Sequence, residues 1–372
     1  MNFEYSEEQQ QLADSLRKFL GNEYDFEKRK AIVKSDTGLS ESVWSAFAEM
    51  GLTAIAVPEA DGGFGGGAVD LMAAMEACGE ALVVEPLLDT IGLATRLVAR
   101  CGSEGQRAAL LPHLADGSLR LAVAALEPGR RYALDAQATT ARAQAGGWVI
   151  DGRKAVVIGA PSAARLIVSA RTNSGTSLFL VDASAPGLTL KACRTVDGQR
   201  AADIILADVR VGAEALLGAE GAGLAALEDA TDFATALLCA DAIGAMKFAN
   251  DTTLEYIKTR KQFGVAIGSF QSLQHRMVDM VVVTEQARSM AVYAAAKVDT
   301  AADAAERKRA VSMAKVKIAD ACRHVSQESV QLHGGMGMTE EMKVSHAFRR
   351  LTMLAQRFGD ADHHLERIVA LG

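Results

Sequence analysis

The sequence predicts an α+β fold in three parts: a helical N-terminal domain over residues 1–117, a middle β domain over 118–217 and a C-terminal four-helix bundle over 218–372. Three observations predict it. Apolar residues recur at helical spacing in both outer parts. Between about 118 and 215 the pattern changes to short β-rich runs broken by Gly, Pro, Asn and Asp. The last third consists of long helical stretches joined by short links, which is how a bundle reads.

In the first part, "SEEQQQLADSLRKFL" opens on Ser6 and carries Leu12, Leu16, Phe19 and Leu20 at helical spacing. "ESVWSAFAEMG" sets Trp44, Phe47 and Met50 on one face, and Gly51 stops it. "VPEADGGFGGG" is a glycine-rich loop, and "AVDLMAAMEACGEAL" is helical again. Gly62, Gly63, Gly65, Gly66 and Gly67 invite a phosphate-loop reading. No Lys-Ser/Thr follows them and no strand–loop–helix unit surrounds them, so that reading is disfavoured.

The middle part contains "LRLAVAALEPG", "GGWVIDGRKAVVIGA", "ARLIVSART", "TSLFLVDAS" and "GLTLKACRT", a small barrel or sandwich. Asp151-Gly152 at the centre of "GWVIDGRKAV" predicts a hairpin turn. In the last part, the run from about Ala222 to Lys261 is long for one globular helix and is expected to contain a break. "GSFQSLQHRMVDMVVVTEQARSMAVYAAAKV" is the second helix. "AAERKRAVSMAKVKIADACRHVSQESVQLHGG" is the third, ended by Gly334 and Gly335, and "TEEMKVSHAFRRLTMLAQRFG" is the fourth.

The chain has 372 residues, enough for two or three cores, and is 49% hydrophobic, which excludes a disordered protein. A formal charge of -7 argues against nucleic-acid binding. Five scattered cysteines without a CxxC pair read as reduced, buried thiols of a cytoplasmic protein. The acidic start "MNFEYSEEQQ" shows no targeting peptide, and no apolar run reaches membrane-spanning length. His363 and His364 beside Asp360 and Asp362 could suggest a metal site, but a solvated helix start is the expectation and no metal ligands are assigned.

One stretch carries chemistry. In "TRKQFG", Arg260 and Lys261 can complement a helix dipole, or Arg260 can present a fork to a phosphate or carboxylate. Together, "RKQFG", "FQSLQHRMVDM" and "QLHGGMGMTEE", with "MGLTAIAVPEADGGFGGG" near the start, resemble the acyl-CoA dehydrogenase family over nearly the whole chain. The resemblance implies a tetramer that uses FAD to take a proton and a hydride from adjacent carbons of an acyl-CoA thioester. It implies that the bundle motifs reach across an interface to a neighbour's FAD. Arg260 would meet the pyrophosphate and Phe263 would pack near the adenine, with Lys261 and Gln262 in the same motif. Phe270, Gln271, Gln331, Gly334 and Gly335 would complete the cradle.

Elsewhere the chain departs from the family. Its Thr-Glu-Pro-Gly-x-Gly-Ser-Asp segment is "LEPGRRYALD" here. Glu127, Pro128 and Gly129 are kept, Leu126 replaces the threonine, and Arg130, Arg131 and Tyr132 follow. A second flavin segment, aromatic–apolar–Thr/Ser, is "KAVVIGA", with Val156 and Ile158 at the aromatic and hydroxyl positions. Phe358 stands where one class of members carries the catalytic glutamate, and Ala234 and Thr235 where another does. Asp232, Asp241 and Asp360 are weak substitutes, with bland readings as a loop charge, a bundle polar residue and a cap, so no catalytic residue is assigned. The expectation is the small subunit of an α2β2 acyl-CoA dehydrogenase, as in enzymes resembling pimeloyl-CoA dehydrogenase. A homologous large subunit would supply the flavin-ring pocket and base, and electron-transfer flavoprotein would take the electrons. The alternatives are a self-sufficient homotetramer with atypical contacts and a non-catalytic scaffold on this fold.

Overall fold

The computed structural model describes residues 5–136, 138–144 and 146–372. The helices are α1 (Glu7–Glu23), α2 (Phe26–Lys34), α3 (Glu41–Glu49), α4 (Ala68–Ala81), α5 (Arg96–Cys101), α6 (Glu104–Ala115), α7 (Gly223–Thr259), α8 (Gln271–Thr300), α9 (Ala304–His333), α10 (Lys343–Gln356) and α11 (Ala361–Ala370). The strands are β1 (Leu121–Ala124), β2 (Thr140–Gln144), β3 (Gly147–Ile158), β4 (Arg165–Thr172), β5 (Gly175–Asp182), β6 (Leu188–Arg194), β7 (Arg200–Gly212), β8 (Leu216–Leu217), β9 (Lys261–Gln262) and β10 (Val265–Ala266). A π-helix, Leu88–Thr95, runs into α5. No helix among the described residues is long and apolar enough to cross a membrane. The chain divides into two compact units. One comprises the residues up to Lys30, Ala68–Val83 and Thr235–Gly372; the other comprises Ala31–Gly67 and Val84–Ala234.

In the helical unit, α1 starts as its sequence dictates. Ser6 and Gln9 form a reciprocal capping box, and Ala13, Leu16 and Leu20 are buried. Leu12 and Phe19 are only half-buried. The bundle is organised around α9, which packs against α8, α10 and α11. The expected break in the first bundle helix does not occur: α7 is one helix of 37 residues. It contains no proline, its interior is rich in alanine, and its burial in the bundle supplies what helix propensity alone would not. Gly244 is a contact and not a breaker. A Cβ there would lie 2.0 Å from the Glu76 carbonyl oxygen, and one on Gly79 would lie 2.1 Å from that of Asp241. The backbones of α4 and α7 thus meet at paired glycines. Gly244→Ala is therefore expected to lower the melting temperature. The ~1–3 kcal/mol of overpacking outweighs the helix-propensity gain of about 1 kcal/mol.

The fourth predicted helix starts later than its sequence suggested, at Lys343, after a 3-10 turn over Gly334–Met338. Asp360 caps α11 by accepting from the His363 N–H at 2.9 Å. That helix start is not solvated at His364, which is 2% exposed. Its Nε2 donates to the Phe358 carbonyl at 3.1 Å and its Nδ1 lies 3.1 Å from Ser312 Oγ. Burial, with the positive charge of Lys315, pushes its pKa down to about 3. The reason is packing: α11 lies on α9. All five cysteines are free, but Cys193 is exposed on β6, so only Cys78, Cys239 and Cys322 fit the buried-thiol expectation.

In the β unit, the strands run in the order β6-β7-β3-β2-β4-β5-β8, with β1 parallel to β4. Ile150, Val157, Leu166, Val168, Phe179 and Ile204 fill the core. The predicted turn at Asp151-Gly152 is absent, because β3 passes straight through it. Gly152 instead marks a register irregularity against β7, where a Cβ would lie 2.5 Å from Thr139 Cα. The dipeptide serves a bulge and a close backbone approach, which is the other use of glycine in a strand. The glycine-rich loop after α3 also folds onto itself. The N–H groups of Gly62, Gly63, Gly65 and Gly66 donate to the carbonyls of Glu59, Pro58, Val57 and Ile55, so they are not free to cradle a phosphate.

Candidate functional site

The helical unit presents the motif residues on one surface. α7 ends at Thr259, and the Arg260 N–H donates to the Tyr256 carbonyl at 2.8 Å. Chain direction then reverses in a hairpin: Val265 pairs with Gln262 and Ala266 with Lys261. Its two-residue loop is Phe263 (φ 53°) and Gly264 (φ 82°), the paired left-handed geometry of a type I′ turn. Lys261 therefore lies in a strand and not in a helical turn, which weakens its dipole reading. The Ile267 N–H donates to the Arg260 carbonyl at 2.8 Å and closes the hairpin onto the helix end. Phe270 precedes α8 and Gln271 is its first residue. The third segment is joined to the first by Tyr256, whose hydroxyl donates to the His333 carbonyl at 3.3 Å and whose ring stacks on His333 at 4.3 Å. His333 Nδ1 donates in turn to the Ser329 carbonyl at 2.8 Å. Gly334 follows at φ 61°, ψ -147°, a conformation open essentially only to glycine. Sequence reasoning missed Tyr256 and His333 as supports, although His333 directly precedes the glycine pair.

Arg260, Lys261, Gln262, Phe263, Phe270, Gln271, Gln331, Gly334 and Gly335 are all exposed. The Arg260 guanidinium makes no hydrogen bond or ion pair among the described residues. Phe263 is 92% exposed, edge-on to Phe270 at 6.2 Å. A Cβ added to Gly334 or Gly335 would meet nothing within 4 Å. An unpaired guanidinium, an uncovered aromatic and an open glycine turn are chemically suited to a phosphate and an aromatic base.

In the β unit, the two segments that the resemblance links to flavin are neighbours, since the Ala155 N–H donates to the Leu126 carbonyl at 2.9 Å. Leu126, Val156 and Ile158 offer no side-chain hydrogen bond. Val156 is 50% exposed, while Ile158 is buried. Arg130 Nη2 donates to both carboxylate oxygens of Asp135 at 3.0 Å, and the Arg131 guanidinium lies 5.6 Å from the centre of the Tyr132 ring. Leu126, Val156 and Ile158 therefore offer no side-chain donor to the polar atoms of a ligand in this region. Glu127, which is kept, has a structural task. Its carboxylate accepts from the N–H groups of Ala138 (3.0 Å) and Thr139 (2.9 Å) and from Lys154 Nζ (3.1 Å). Lys154 also donates to Ser169 Oγ and the Ala125 carbonyl. Burial alone would raise the Glu127 pKa, but these donors and the lysine charge bring it down to about 2. Burial in turn lowers Lys154 to about 8 against the pull of Glu127.

The candidate base positions are accounted for without a base. Ala234 and Thr235 are buried, and Phe358 sits at φ 60° under the Arg357 guanidinium. Asp232 is fully buried within α7, so it is not a loop charge. Asp241 pairs with Arg350 inside the bundle, and Asp360 is the α11 cap.

The chain matches the N-terminal domain of acyl-CoA dehydrogenase over residues 6–118, the middle domain over 122–209 and the C-terminal domain over 221–370. Acyl-CoA dehydrogenase FadE12 of Mycobacterium tuberculosis is 32% identical over 363 residues, spanning 92% of this chain and 90% of that protein. Among solved structures, a variant of the Tcur3481-Tcur3483 steroid ACAD is 32% identical, with a TM-score of 0.89, covering 98% of this chain and 97% of that one. The ChsE4-ChsE5 complex from Mycobacterium tuberculosis is 26% identical, with a TM-score of 0.91, over 100% and 98% of the two chains. FAD complexes are also among the similar structures, and members of the family bind FAD. The chain belongs to the acyl-CoA dehydrogenase family.

Proposed function

We propose that this chain is the flavin-poor subunit of a heteromeric, FAD-dependent acyl-CoA dehydrogenase, assembled as α2β2 with a homologous large subunit. The observation that carries the proposal is an asymmetry. The bundle surface that carries the family motifs is exposed, whereas Leu126, Val156 and Ile158, at the positions that would contact a flavin of its own, carry no side-chain donor. The existence of a two-polypeptide relative, ChsE4-ChsE5, supports the reading.

When bound, FAD accepts the hydride from the acyl-CoA. This chain's residues act on the far end of the cofactor. Arg260 pairs with the diphosphate, where a fixed fork is worth more than a flexible ammonium. Phe263 and Phe270 cover the adenine end, and the turn at Gly334 and Gly335 allows the backbone to approach. Gln262, Gln271 and Gln331 supply amides around it, and Lys261 adds positive charge. The partner supplies the ring pocket and the carboxylate that takes the α-proton, which this chain lacks at both family positions. An electron-transfer flavoprotein would be the electron acceptor.

The test is turnover. The chain purified alone should not oxidise acyl-CoA with an artificial electron acceptor, and it should raise turnover when mixed with the homologous subunit. Sustained acyl-CoA oxidation by the chain alone would establish a self-sufficient homotetramer instead.

A further inference from the structure

We propose that Lys343 is a covalent acylation site, whose side-chain amine takes an acyl group from an acyl-CoA thioester. The amine attacks the thioester carbonyl, a C–N amide bond forms as the C–S bond breaks, and the amine proton leaves with CoA as the free thiol. The chain belongs to a family that acts on acyl-CoA, so this electrophile is the class of molecule it meets. The proposal does not depend on which subunit holds the flavin.

Among the described residues, burial pushes three lysine amines down to about 8, those of Lys154, Lys315 and Lys343. Only the third can meet a reagent. Lys154 and Lys315 are 0% exposed, and their amines are held by the Glu127 carboxylate and by the Ala355 and Gly359 carbonyls respectively. Lys343 is half-buried, and the neighbouring Lys247 side chain is 45% exposed.

The surroundings of the Lys343 amine are short of negative charge. Lys343 is the first residue of α10, whose N-cap, Met342, makes no side-chain cap. A cation is unfavourable at that end of a helix. The amine lies 4.2 Å from the centre of the Phe248 ring on α7 and donates to the Glu80 carbonyl on α4 at 3.3 Å. It makes no ion pair among the described residues. The Glu80 carboxylate is already engaged by Arg17 of α1 at 3.1 Å and by Lys247 of α7 at 3.6 Å. Arg29 of α2 adds a further like charge, and its guanidinium lies 3.0 Å from His346 Nδ1 on α10 itself. The Phe248 face and Glu80 favour the ammonium, but burial and then Arg29 outweigh them. A lysine that is desolvated and set beside other cations is an activated nucleophile. Acylation removes the unfavourable charge, and the amide N–H can still donate to the Glu80 carbonyl.

The test incubates the full-length chain with acetyl-CoA at pH 8 and follows acetylation by peptide mass spectrometry, with the exposed Lys18 and Lys191 as internal references. A pKa of about 8 in place of 10.5 leaves on the order of a hundredfold more free amine at that pH, and lower basicity offsets part of the gain. Acetylation at Lys343 is therefore expected to run about tenfold faster than at either reference. Equal or slower reaction at Lys343 would overturn the proposal. Lys247→Glu supplies a second measurement. It frees the Glu80 carboxylate for Lys343 and adds a negative charge on the exposed side of α7, so the Lys343 rate is expected to fall about threefold or more while that at Lys191 stays the same. An unchanged Lys343 rate in this variant would also overturn the proposal.

Discussion

Replacing Lys154 with methionine is expected to destabilise the β unit by about 3–5 kcal/mol, the cost of leaving a buried carboxylate without its cation. Lys154 and Glu127 are 0% and 2% exposed at their side chains, so water cannot screen the change. The loss should show as a large drop in the urea midpoint. It should also depend on pH in a defined sense. The Glu127 pKa is depressed from 4.5 to about 2 in the folded state, so its contribution is present above about pH 4.5 and is lost as pH falls through about 2. The gap between wild type and Lys154→Met should therefore be widest near neutrality and close in acid, because a protonated Glu127 no longer needs the lysine. Adding Glu127→Gln to Lys154→Met should recover part of the loss at neutral pH. A single variant that unfolds with the wild type would refute the role given to this pair.

The second large effect is expected from Arg260→Ala in the assembled enzyme. Hydrogen bonds to a charged group are worth about 1.5–3 kcal/mol, so loss of a guanidinium–diphosphate pair should weaken FAD binding roughly ten- to a hundredfold. Arg260→Lys should restore only part, since an ammonium cannot form the bidentate pair. Neither substitution should change the stability of the chain itself by more than about 0.5 kcal/mol, because the guanidinium has no partner among the described residues. Unchanged melting with weakened flavin retention is the combination that separates a lent binding residue from a structural one.

Much of the fold and the bundle surface is legible in the sequence, for physical reasons. Ser6 and Gln9 announce a capping box, and the apolar spacing of the long helices announces a bundle. Arg260, Gln271 and Gly334 are readable as candidates because phosphate recognition and tight approach restrict residue type so severely, and the fold leaves all three exposed. The misreadings share one cause, which is long-range structure overriding a local signal. Asp151-Gly152 has the composition of a turn, but Gly152 is needed where β3 passes Thr139, and the Asp151 carboxylate accepts the Asp208 N–H at 2.8 Å across the sheet. β7 escapes a sequence reading because Asp203 and Asp208 interrupt its apolar pattern; Asp203 is there to pin the Val156 bulge. Gly244 within α7 reads as a breaker, but it is a close crossing with Gly79 of α4, which nothing local reveals. His364 reads as a surface residue because the helix that buries it, α9, lies far away in sequence.

The most direct test of whether this chain holds an FAD bound mainly by a different polypeptide is the number of flavins per chain. The chain purified alone should contain no FAD, and its complex with the homologous large subunit should contain one FAD for every two polypeptides. One FAD for every copy of this chain in a homotetramer, or one for every polypeptide of the complex, would contradict the account.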